Sequence, residues 1–316
     1  MRMETSWGGL GMPRGRKFYG AITGEVFASV IKAYLASPKF QGLGPETQRS
    51  YRRALLLAEH RDGLGSIPIE EMRPALVQAF LDGLAERPAA QQKAKRVLKA
   101  LESWALVRDL LPRSITEGTE APGSDGGHEP WSDEHVTLAE ITCALHVARA
   151  VTLGANTGQR GSDLTRMRWT DLESVDGRPG INVVQQKTGR RLWVPFTQAL
   201  IIRIETWERR PGFILTRPDG TPFVRQMLTK AWYWERMRNP ALEPLRHLHL
   251  HGLRATAVVR LRRAGVSIAQ ICDVVGMSQQ MVARYCRFSD QRENALAAME
   301  QLEGRVITLK RKRDGN

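Results

Sequence analysis

The sequence predicts a two-domain, mainly α-helical protein whose second domain also contains a small antiparallel β-sheet. A length of 316 residues is enough for two domains that each bury a core. Apolar residues recur at helical spacing over most of the chain, whereas β-rich patterns concentrate at 181–186 and 191–196. Residues 114–131 are polar and rich in Gly and Pro, a composition that we expect to bury no core and that is typical of a linker.

The chain is strongly basic, with a formal net charge of +14 at pH 7. Such an excess favours a polyanionic partner, and nucleic acid fits better than a membrane surface. No apolar run approaches the ~20 residues that span a bilayer, and residues 1–20 lack the apolar core of a signal peptide. The three cysteines, Cys143, Cys272 and Cys286, have no metal-ligand spacing. We therefore expect a cytoplasmic protein without a disulfide, a metal site or a membrane partner.

The first folded region is predicted at residues 23–113, after a Gly-rich basic segment at 1–22 that we expect to be a flexible arm. The spacing of its apolar residues and the positions of its prolines predict four helices, at about 27–35, 45–60, 74–86 and 91–110. Two of these helices carry basic residues opposite their apolar stripes. We expect these side chains to contact nucleic-acid phosphates, although solvation alone also explains a charged face: Arg49, Arg52, Arg53, Lys93, Lys95, Arg96 and Lys99.

The second folded region is predicted at residues 132–302 and mixes helical and β patterns. Ser132 suggests a helix start, and one long helix is predicted to run through Ile141 and Leu145 toward Gly154. The other predicted elements are a hairpin of 181–186 and 191–196, a short strand at 213–215, a capping box of Ser267 with Gln270, and a basic tail at 303–316.

Two arginines lie in settings that suit the binding of a phosphate. Arg160 follows a tight turn at 157–159 and enters a new helix, with Asp163 three residues later. Arg254 follows His251 by three positions, so the two side chains share one helix face. The guanidinium fork matches two phosphate oxygens and does not lose its charge. Each pattern is weak alone, because a capped helix start on a basic surface explains it equally well.

A lysine and a tyrosine complete the set of candidate catalytic residues. Lys187 lies in the predicted hairpin turn, and a lysine can protonate an alkoxide leaving group, a general-acid role worth roughly 10²–10⁴ in rate. Tyr285 lies in an Arg-flanked segment about thirty residues after Arg254. A free tyrosine, with a pKa near ~10, is a weak nucleophile until neighbouring cations stabilise its phenolate. Solvated turn lysines and core tyrosines are common, so only the order of all these residues gives them weight.

Together these segments resemble the tyrosine recombinase (phage integrase) family. Its first box, Thr-Gly-x-Arg-x-x-Asp/Glu-Leu, matches Thr157 to Leu164, and the Leu-x-Trp-x-Asp continuation matches 167–171 with Met in the first place. A Lys-Thr-Gly hairpin that ends in Val-Pro matches Lys187 to Pro195. The second box, His-x-x-Arg followed by two helices and a nucleophilic tyrosine, matches His251 to Tyr285.

The resemblance implies a helical core-binding domain at 23–113, a linker at 114–131 and a mixed α/β catalytic domain at 132–302. It implies a site-specific recombinase or integrase of a phage or other mobile element that needs no cofactor. The implied substrate is double-stranded DNA, held by a homotetramer on paired sites, with accessory DNA-bending proteins as additional partners. The implied location is the cytoplasm, in association with the nucleoid.

The resemblance also assigns roles to the candidate residues. Arg160 and Arg254 bind the scissile phosphate, and Tyr285 attacks it to form a 3′-phosphotyrosyl link. The other implied roles are proton donation to the leaving 5′ oxygen by Lys187, assistance as a hydrogen-bonding or general-base group by His251, and orientation of a neighbouring basic group by Asp163.

Two departures from the family pattern bear on activity. Met277 stands where the family has a His or Trp, and methionine cannot donate a hydrogen bond to phosphate. Tyr285 also follows Met277 one residue sooner than is usual in the family. We expect slower cleavage, because loss of one transition-state donor typically costs ~10²–10³ in rate. Two alternatives stay open: a catalytically weak or inactive DNA-binding relative, and a type IB topoisomerase-like enzyme that nicks and religates without site preference.

Overall fold

The structure, a computed structural model, describes residues 26–60, 63–123 and 127–286, together with 295–296, 298–300 and 302–303. The chain divides into two compact units, Met1–Asp125 and Gly126–Asn316. The predicted arm at 1–22 and residues 304–316 of the predicted tail lie outside the described residues. Among the helices described, none has both the length and the apolar character that crossing a membrane requires.

The first unit is a helical bundle, as predicted. Its helices are α1 (Phe27–Ala36), α2 (Pro38–Gln41), α3 (Pro45–Glu59), α4 (Pro74–Asp82) and α5 (Pro88–Leu106), with a 3₁₀ turn at Ile69–Glu71. Four of them begin at a proline, whose fixed φ suits the first helical position and whose missing N–H costs nothing there. The apolar stripes of these helices meet in a single core that includes Phe27, Leu55, Val77 and Leu101.

The expectation that residues 114–131 bury no core is wrong at both ends. Ile115 is fully buried in the helical core, and the buried carboxylate of Glu102 accepts the backbone N–H groups of Ile115 and Thr116 at 2.7 and 2.6 Å. Trp131 is buried in a core cluster of the second unit. Composition hid these anchors because each is a single apolar residue within a polar stretch. The boundary between the two units lies inside this stretch.

The second unit combines eight helices in its described residues with a three-stranded antiparallel sheet, which confirms the predicted fold class. The elements before and within the sheet are α6 (Asp133–Thr142), α7 (Leu145–Thr157), α8 (Gly161–Leu164), β1 (Leu172–Val175), β2 (Arg178–Val184) and β3 (Arg191–Pro195). The helices that follow are α9 (Gln198–Glu205), α10 (Arg225–Arg238), α11 (Gly252–Arg263), α12 (Ile268–Val275) and α13 (Gln279–Cys286). Short 3₁₀ turns lie at Trp169–Asp171 and Pro240–Leu245.

The single long helix predicted before Gly154 is wrong. The chain forms two helices there, α6 and α7, because Cys143 and Ala144 between them have extended backbone. This break turns Ile141 and Leu145 outward, and they are 77% and 65% exposed. A continuous apolar period therefore does not establish a continuous helix, since two extended residues change which face the following residues present.

The predicted hairpin is confirmed, since β2 and β3 pair antiparallel from Gly180 with Pro195 to Val184 with Arg191. The pattern did not reveal β1, which pairs with the other edge of β2 and is largely exposed. The strand expected at 213–215 is replaced by isolated bridges, Arg168 with Phe213 and Thr216 with Pro222.

Helix α11 is the element around which the second unit packs its site. Residues Gly252–Val259 of this helix are all buried, and the helix contacts α7, α12 and α13. The predicted capping box of Ser267 and Gln270 starts α12, and Gly276 ends it in the left-handed conformation at φ 64°. The ends of α7 and α12 both lie at the beginning of α11, as the hydrogen bonds from Arg254 to Gly158 and Gly276 show.

Candidate active site

Arg254 lies on the first turn of α11 and is 2% exposed. Its guanidinium donates hydrogen bonds to the backbone carbonyl of Gly158, after α7, and to that of Gly276, after α12, the latter at 3.5 Å. Burial and then the charge of Arg160 lower the pKa of Arg254 to about 10, so it stays charged at neutral pH. One cation is thus held by the backbone turns of two other helices.

The turn between α7 and α8 delivers Arg160 to the same region. Gly158 caps α7 with φ 62°, a conformation that glycine adopts without steric cost. A Cβ at Gly158 would lie 2.9 Å from Val275 and 3.0 Å from Ala257, so a larger residue would force α7, α11 and α12 apart. Arg160 follows as the N-cap of α8, with about a fifth of its side chain accessible.

Arg160 has two partners within the protein. Its Nη1 donates to Oε1 of Gln185 at 3.1 Å and lies 3.8 Å from Oδ2 of Asp163. The Asp163 carboxylate is fully buried, and its Oδ1 accepts the backbone N–H of Gln186 at 2.9 Å. Asp163 therefore connects the arginine turn to the start of the β2–β3 turn.

His251 immediately precedes α11 and lies one turn before Arg254. The imidazole of His128 is edge-on to that of His251, with ring centres 5.2 Å apart. Although the residue as a whole is exposed, its imidazole is crowded by protein, and this burial lowers its pKa to about 4. Positive charge nearby adds to the effect, from His128 when it is protonated and from three arginines, Arg254, Arg160 and Arg225. His251 is therefore neutral at physiological pH, when it can accept a proton.

Tyr285 lies on α13 and is 3% exposed. It belongs to the apolar cluster between α11, α12 and α13, together with Val275 and Val282. A phenolate at Tyr285 interacts favourably with Arg254, and this interaction is among the causes that support the charge of Arg254. The proposed nucleophile and the buried arginine are therefore electrostatic neighbours.

Met277 lies in the same apolar cluster and is 6% exposed. It directly follows Gly276, whose carbonyl accepts a hydrogen bond from Arg254. Its side chain thus belongs to the apolar cluster that contains Tyr285, and it offers no hydrogen-bond donor.

Lys187 is placed differently from the arginines. It lies in the β2–β3 turn and is exposed, and within the part of the chain that the structure describes its side chain makes no hydrogen bond or ion pair. The structure therefore brings Arg160, His251, Arg254 and Tyr285 together around the start of α11, with Lys187 on a neighbouring exposed turn.

Sequence patterns missed three residues at this site. Gln185 is fully buried at the end of β2 and bonds to Arg160. Gly127 lies against Tyr285, because a Cβ added there would be 3.4 Å from Cε1 of the ring. His128 contacts His251 as described above. No local pattern marks these positions, since their importance depends on contacts with residues far away in the sequence.

The segment that carries Gly127 and His128 is attached to the beginning of α11. The backbone N–H of Trp131 donates to the Thr256 hydroxyl at 2.7 Å, and its indole N–H donates to the carbonyl of His249 at 3.0 Å. A Cβ on Gly252 would lie 2.2 Å from the carbonyl oxygen of Glu129, so only glycine lets the segment lie this close. The C-terminal part of the predicted linker is thus a wall of the site.

The basic residues predicted to contact nucleic acid lie in the first unit. Arg52, Arg53, Lys93 and Arg96 are exposed, and Arg49, also exposed, pairs with Glu46 at 2.7 Å. Two others have structural partners, since Lys95 donates to the Thr119 carbonyl and Lys99 pairs with the buried Glu102. Contact of these side chains with DNA stays a prediction.

Among the residues that the structure describes, no group of three or more His, Cys, Asp or Glu side chains is placed to hold a metal ion.

The chain is similar to known proteins in sequence and in fold. The model of the phage integrase family matches residues 133–292. The integrase of Mycobacterium phage L5 is 24% identical over 265 residues, which covers 76% of this chain and 70% of that protein. The integrase of Mycobacterium phage FRAT1 is 24% identical over 268 residues, with 76% and 79% covered.

Solved structures of similar fold include lambda integrase as a tetramer bound to a Holliday junction. It superposes with a TM-score of 0.70 at 19% identity, over 86% of this chain and 79% of that one. The Tn1549 transposon integrase in complex with a circular intermediate DNA has a TM-score of 0.66 at 15% identity, over 88% and 100%. At these identities the structures support the fold.

Proposed function

Because the chain belongs to the phage integrase family, whose members are site-specific recombinases that cleave and rejoin DNA strands, we propose that Tyr285 is its nucleophile. The single observation that carries this assignment is the convergence of Arg254, Arg160 and His251 on the start of α11, with the Tyr285 ring in the adjoining cluster. Tyrosine, cations and a neutral imidazole are the groups that phosphodiester transfer without a metal requires.

Cleavage begins when the Tyr285 oxygen attacks the scissile phosphorus and the bond from phosphorus to the 5′ oxygen breaks. The products are a 3′-phosphotyrosyl link and a free 5′-hydroxyl. The phenolic proton must leave Tyr285, and the leaving 5′ oxygen must gain one. Rejoining is the reverse step, in which a 5′-hydroxyl attacks the phosphotyrosine, so the energy of the bond is kept and no cofactor is consumed.

Arg254 and Arg160 stabilise the charge that develops on the non-bridging oxygens. The guanidinium of Arg254 is already held by two backbone carbonyls, so little reorganisation is needed when DNA binds. Arg160 retains accessible surface with which to contact phosphate. Asp163 lies 3.8 Å from Arg160 and serves to orient that guanidinium.

His251 and Lys187 handle the protons. The depressed pKa of His251 keeps its imidazole neutral at physiological pH, and it can therefore accept a proton or a hydrogen bond. Lys187 donates a proton to the leaving oxygen. Because Lys187 is exposed on the β2–β3 turn, we infer that this turn moves against the DNA before cleavage.

The substrate is double-stranded DNA, a choice supported by the net charge of +14 and by the exposed basic residues of α3 and α5. Lambda integrase has been captured as a dimer on a core site and as a tetramer on a Holliday junction. We infer that this chain also acts as a homotetramer on paired sites, together with accessory DNA-bending proteins. Its place of action is then the cytoplasm, on the nucleoid, and its source is a phage or another mobile element.

Covalent capture tests the proposed function. The protein is incubated with sheared DNA from its source and denatured, and the ends of protein-linked fragments are sequenced. Tyr285→Phe is run in parallel, with Tyr233→Phe as a matched control because Tyr233 is an exposed tyrosine on α10. We expect adducts at one or two recurring sequences with the wild type and Tyr233→Phe, and none with Tyr285→Phe.

The other outcomes overturn the proposal in distinct ways. Ends scattered over many sequences identify a topoisomerase-like enzyme. Absence of adducts from the wild type identifies a DNA-binding relative that does not cut, for which the apolar Met277 beside Tyr285 is the first explanation. Adducts that persist in Tyr285→Phe reassign the nucleophile.

A further inference from the structure

Gln185 is a buried polar residue whose side chain uses all of its hydrogen-bonding capacity. Its amide oxygen accepts from Nη1 of Arg160 at 3.1 Å and from the Thr188 hydroxyl at 3.0 Å. Its amide nitrogen donates to Oε1 of Gln159 at 2.8 Å and to the carbonyl of Val275 at 3.0 Å. Because Arg160 can only donate and a backbone carbonyl can only accept, these partners determine which way the amide points.

These four bonds connect three separate parts of the site. Arg160 and Gln159 belong to the turn before α8, and Thr188 belongs to the β2–β3 turn, next to Lys187. Val275 is the last residue of α12 and precedes Gly276. The Gln185 side chain therefore connects the turn before α8, the β2–β3 turn and the end of α12 by hydrogen bonds.

The packing around Gly276 shows how tightly these parts are connected. A Cβ on Gly276 would lie 2.5 Å from Nε2 of Gln185, closer than real Cβ contacts. The Gly276 carbonyl, in turn, accepts a hydrogen bond from Arg254. Gln185 is thus linked to Arg254 through two consecutive residues, Val275 and Gly276, and it bonds to Arg160 directly.

We propose that Gln185 is a positioning residue that holds Arg160 in the arrangement needed for strand cleavage and anchors the β2–β3 turn at Thr188, from which Lys187 reaches the DNA, an inference that rests on the proposed function. Its role is to position other groups, since all four hydrogen bonds of its amide go to protein atoms. Its effect follows from its bonds: without it, the nearest remaining partner of Arg160 is Asp163, and the Thr188 hydroxyl loses its anchor.

Two substitutions remove different parts of this network. Gln185→Met has nearly the same length but loses all four hydrogen bonds. Gln185→Glu keeps the acceptors that face Arg160 and Thr188, but it places a carboxylate oxygen against the carbonyl of Val275. Gln198→Met and Gln198→Glu are matched controls, because Gln198 is exposed at the start of α9.

The measured quantities are the single-turnover rate of adduct formation on a captured wild-type site and the Kd for the same DNA. We expect Gln185→Met to slow adduct formation about 10²-fold, because a misplacement of about 1 Å has a cost of that order. We expect the Kd to change less than threefold and the Gln198 variants to match the wild type. We expect Gln185→Glu to be slower than the wild type as well. Either variant therefore tests the proposal if the other fails to fold.

A double-mutant cycle separates positioning from general support of the fold. In an Arg160→Ala background, Gln185→Met should slow cleavage far less than in the wild type, because the residue acts through Arg160. Equal slowing in both backgrounds, or wild-type rates in the Gln185 variants, overturns the proposal. If the wild type itself forms no adduct, the proposed function fails, and this result is distinct from a failure of the positioning role.

Discussion

The two cationic parts of the site differ in how firmly the protein holds them. Arg254 is buried and bonded to two backbone carbonyls from different turns. Lys187 is exposed on a hairpin turn, and its side chain has no partner among the described residues. With the roles proposed above, we infer that the phosphate-binding group is built in advance, whereas the proton donor is placed when DNA binds. Cleavage then begins only after bound DNA has brought Lys187 to the leaving oxygen.

The largest loss of cleavage rate is expected from substitution of the buried Arg254. Arg254→Ala should lower the rate of adduct formation by about 10³ or more, because it removes transition-state charge stabilisation in a buried setting. It should also destabilise the fold, because the Gly158 and Gly276 carbonyls lose a buried partner at a cost of ~1–3 kcal/mol each.

The measurements for Arg254→Ala are covalent capture and urea unfolding. Arg246→Ala is the matched control, because Arg246 is an exposed arginine near the same helix. A variant that keeps wild-type stability and cleaves at near the wild-type rate would show that Arg254 is not held or used as we describe.

A smaller loss of cleavage rate is expected from substitution of the exposed Lys187. Lys187→Ala should slow cleavage about 10²-fold, the lower end of the usual range for a general acid, since the turn is not preorganised. Its unfolding free energy should match that of the wild type, because the side chain makes no described contact that the substitution removes.

A DNA substrate with sulfur in place of the bridging 5′ oxygen tests the role of Lys187 directly. Sulfur leaves as a thiolate and needs no proton, so the Lys187→Ala variant should cleave this substrate nearly as fast as the wild type. Arg254→Ala should stay slow on the same substrate. If the sulfur does not rescue Lys187→Ala, the lysine contributes charge rather than a proton.

The stability of the turn at Gly276 depends on how closely α12 packs against Gln185. Gly276 and Gly220 both have positive φ, at 64° and 81°. A Cβ at Gly220 would meet nothing within 4 Å, whereas a Cβ at Gly276 would lie 2.5 Å from both Gln185 and Leu192. Gly220→Ala should cost about 1–2 kcal/mol for its backbone conformation, and Gly276→Ala about 1–3 kcal/mol more for the crowding.

Urea unfolding of the two alanine variants measures this difference. We also expect Gly276→Ala to slow cleavage about tenfold, because the shift displaces Gln185, whereas Gly220→Ala should not affect the rate. Equal destabilisation by both substitutions would mean that the end of α12 is not tightly packed against Gln185.

The sequence shows which side chains to examine, because the spacing of His251 from Arg254 and of Arg160 from Asp163 is local. It also predicts the β2–β3 hairpin and the capping box, which depend on neighbouring residues. It does not reveal Gln185 or His128, because each acquires its setting from residues that are distant in the chain. The local pattern also gives a wrong prediction at Cys143 and Ala144. The apolar spacing there predicts one continuous helix, but these two residues leave the helical conformation and separate α6 from α7.

The smallest effect concerns pH and the crowded imidazole of His251. Its pKa falls from 6.5 to about 4 on folding, so between these values the unfolded chain takes up a proton that the native protein does not. This linkage makes the native state less stable as pH falls from 6.5 towards 4; the destabilisation is absent above pH 6.5 and complete below about pH 4. His251→Gln cannot titrate, and its unfolding free energy should therefore decline less between pH 7 and 5 than that of the wild type.

His247→Gln, at an exposed histidine nearby, is the matched control. Equal declines in the wild type and His251→Gln would mean that His251 is not held neutral, and a proton-accepting role at physiological pH would then lose its support.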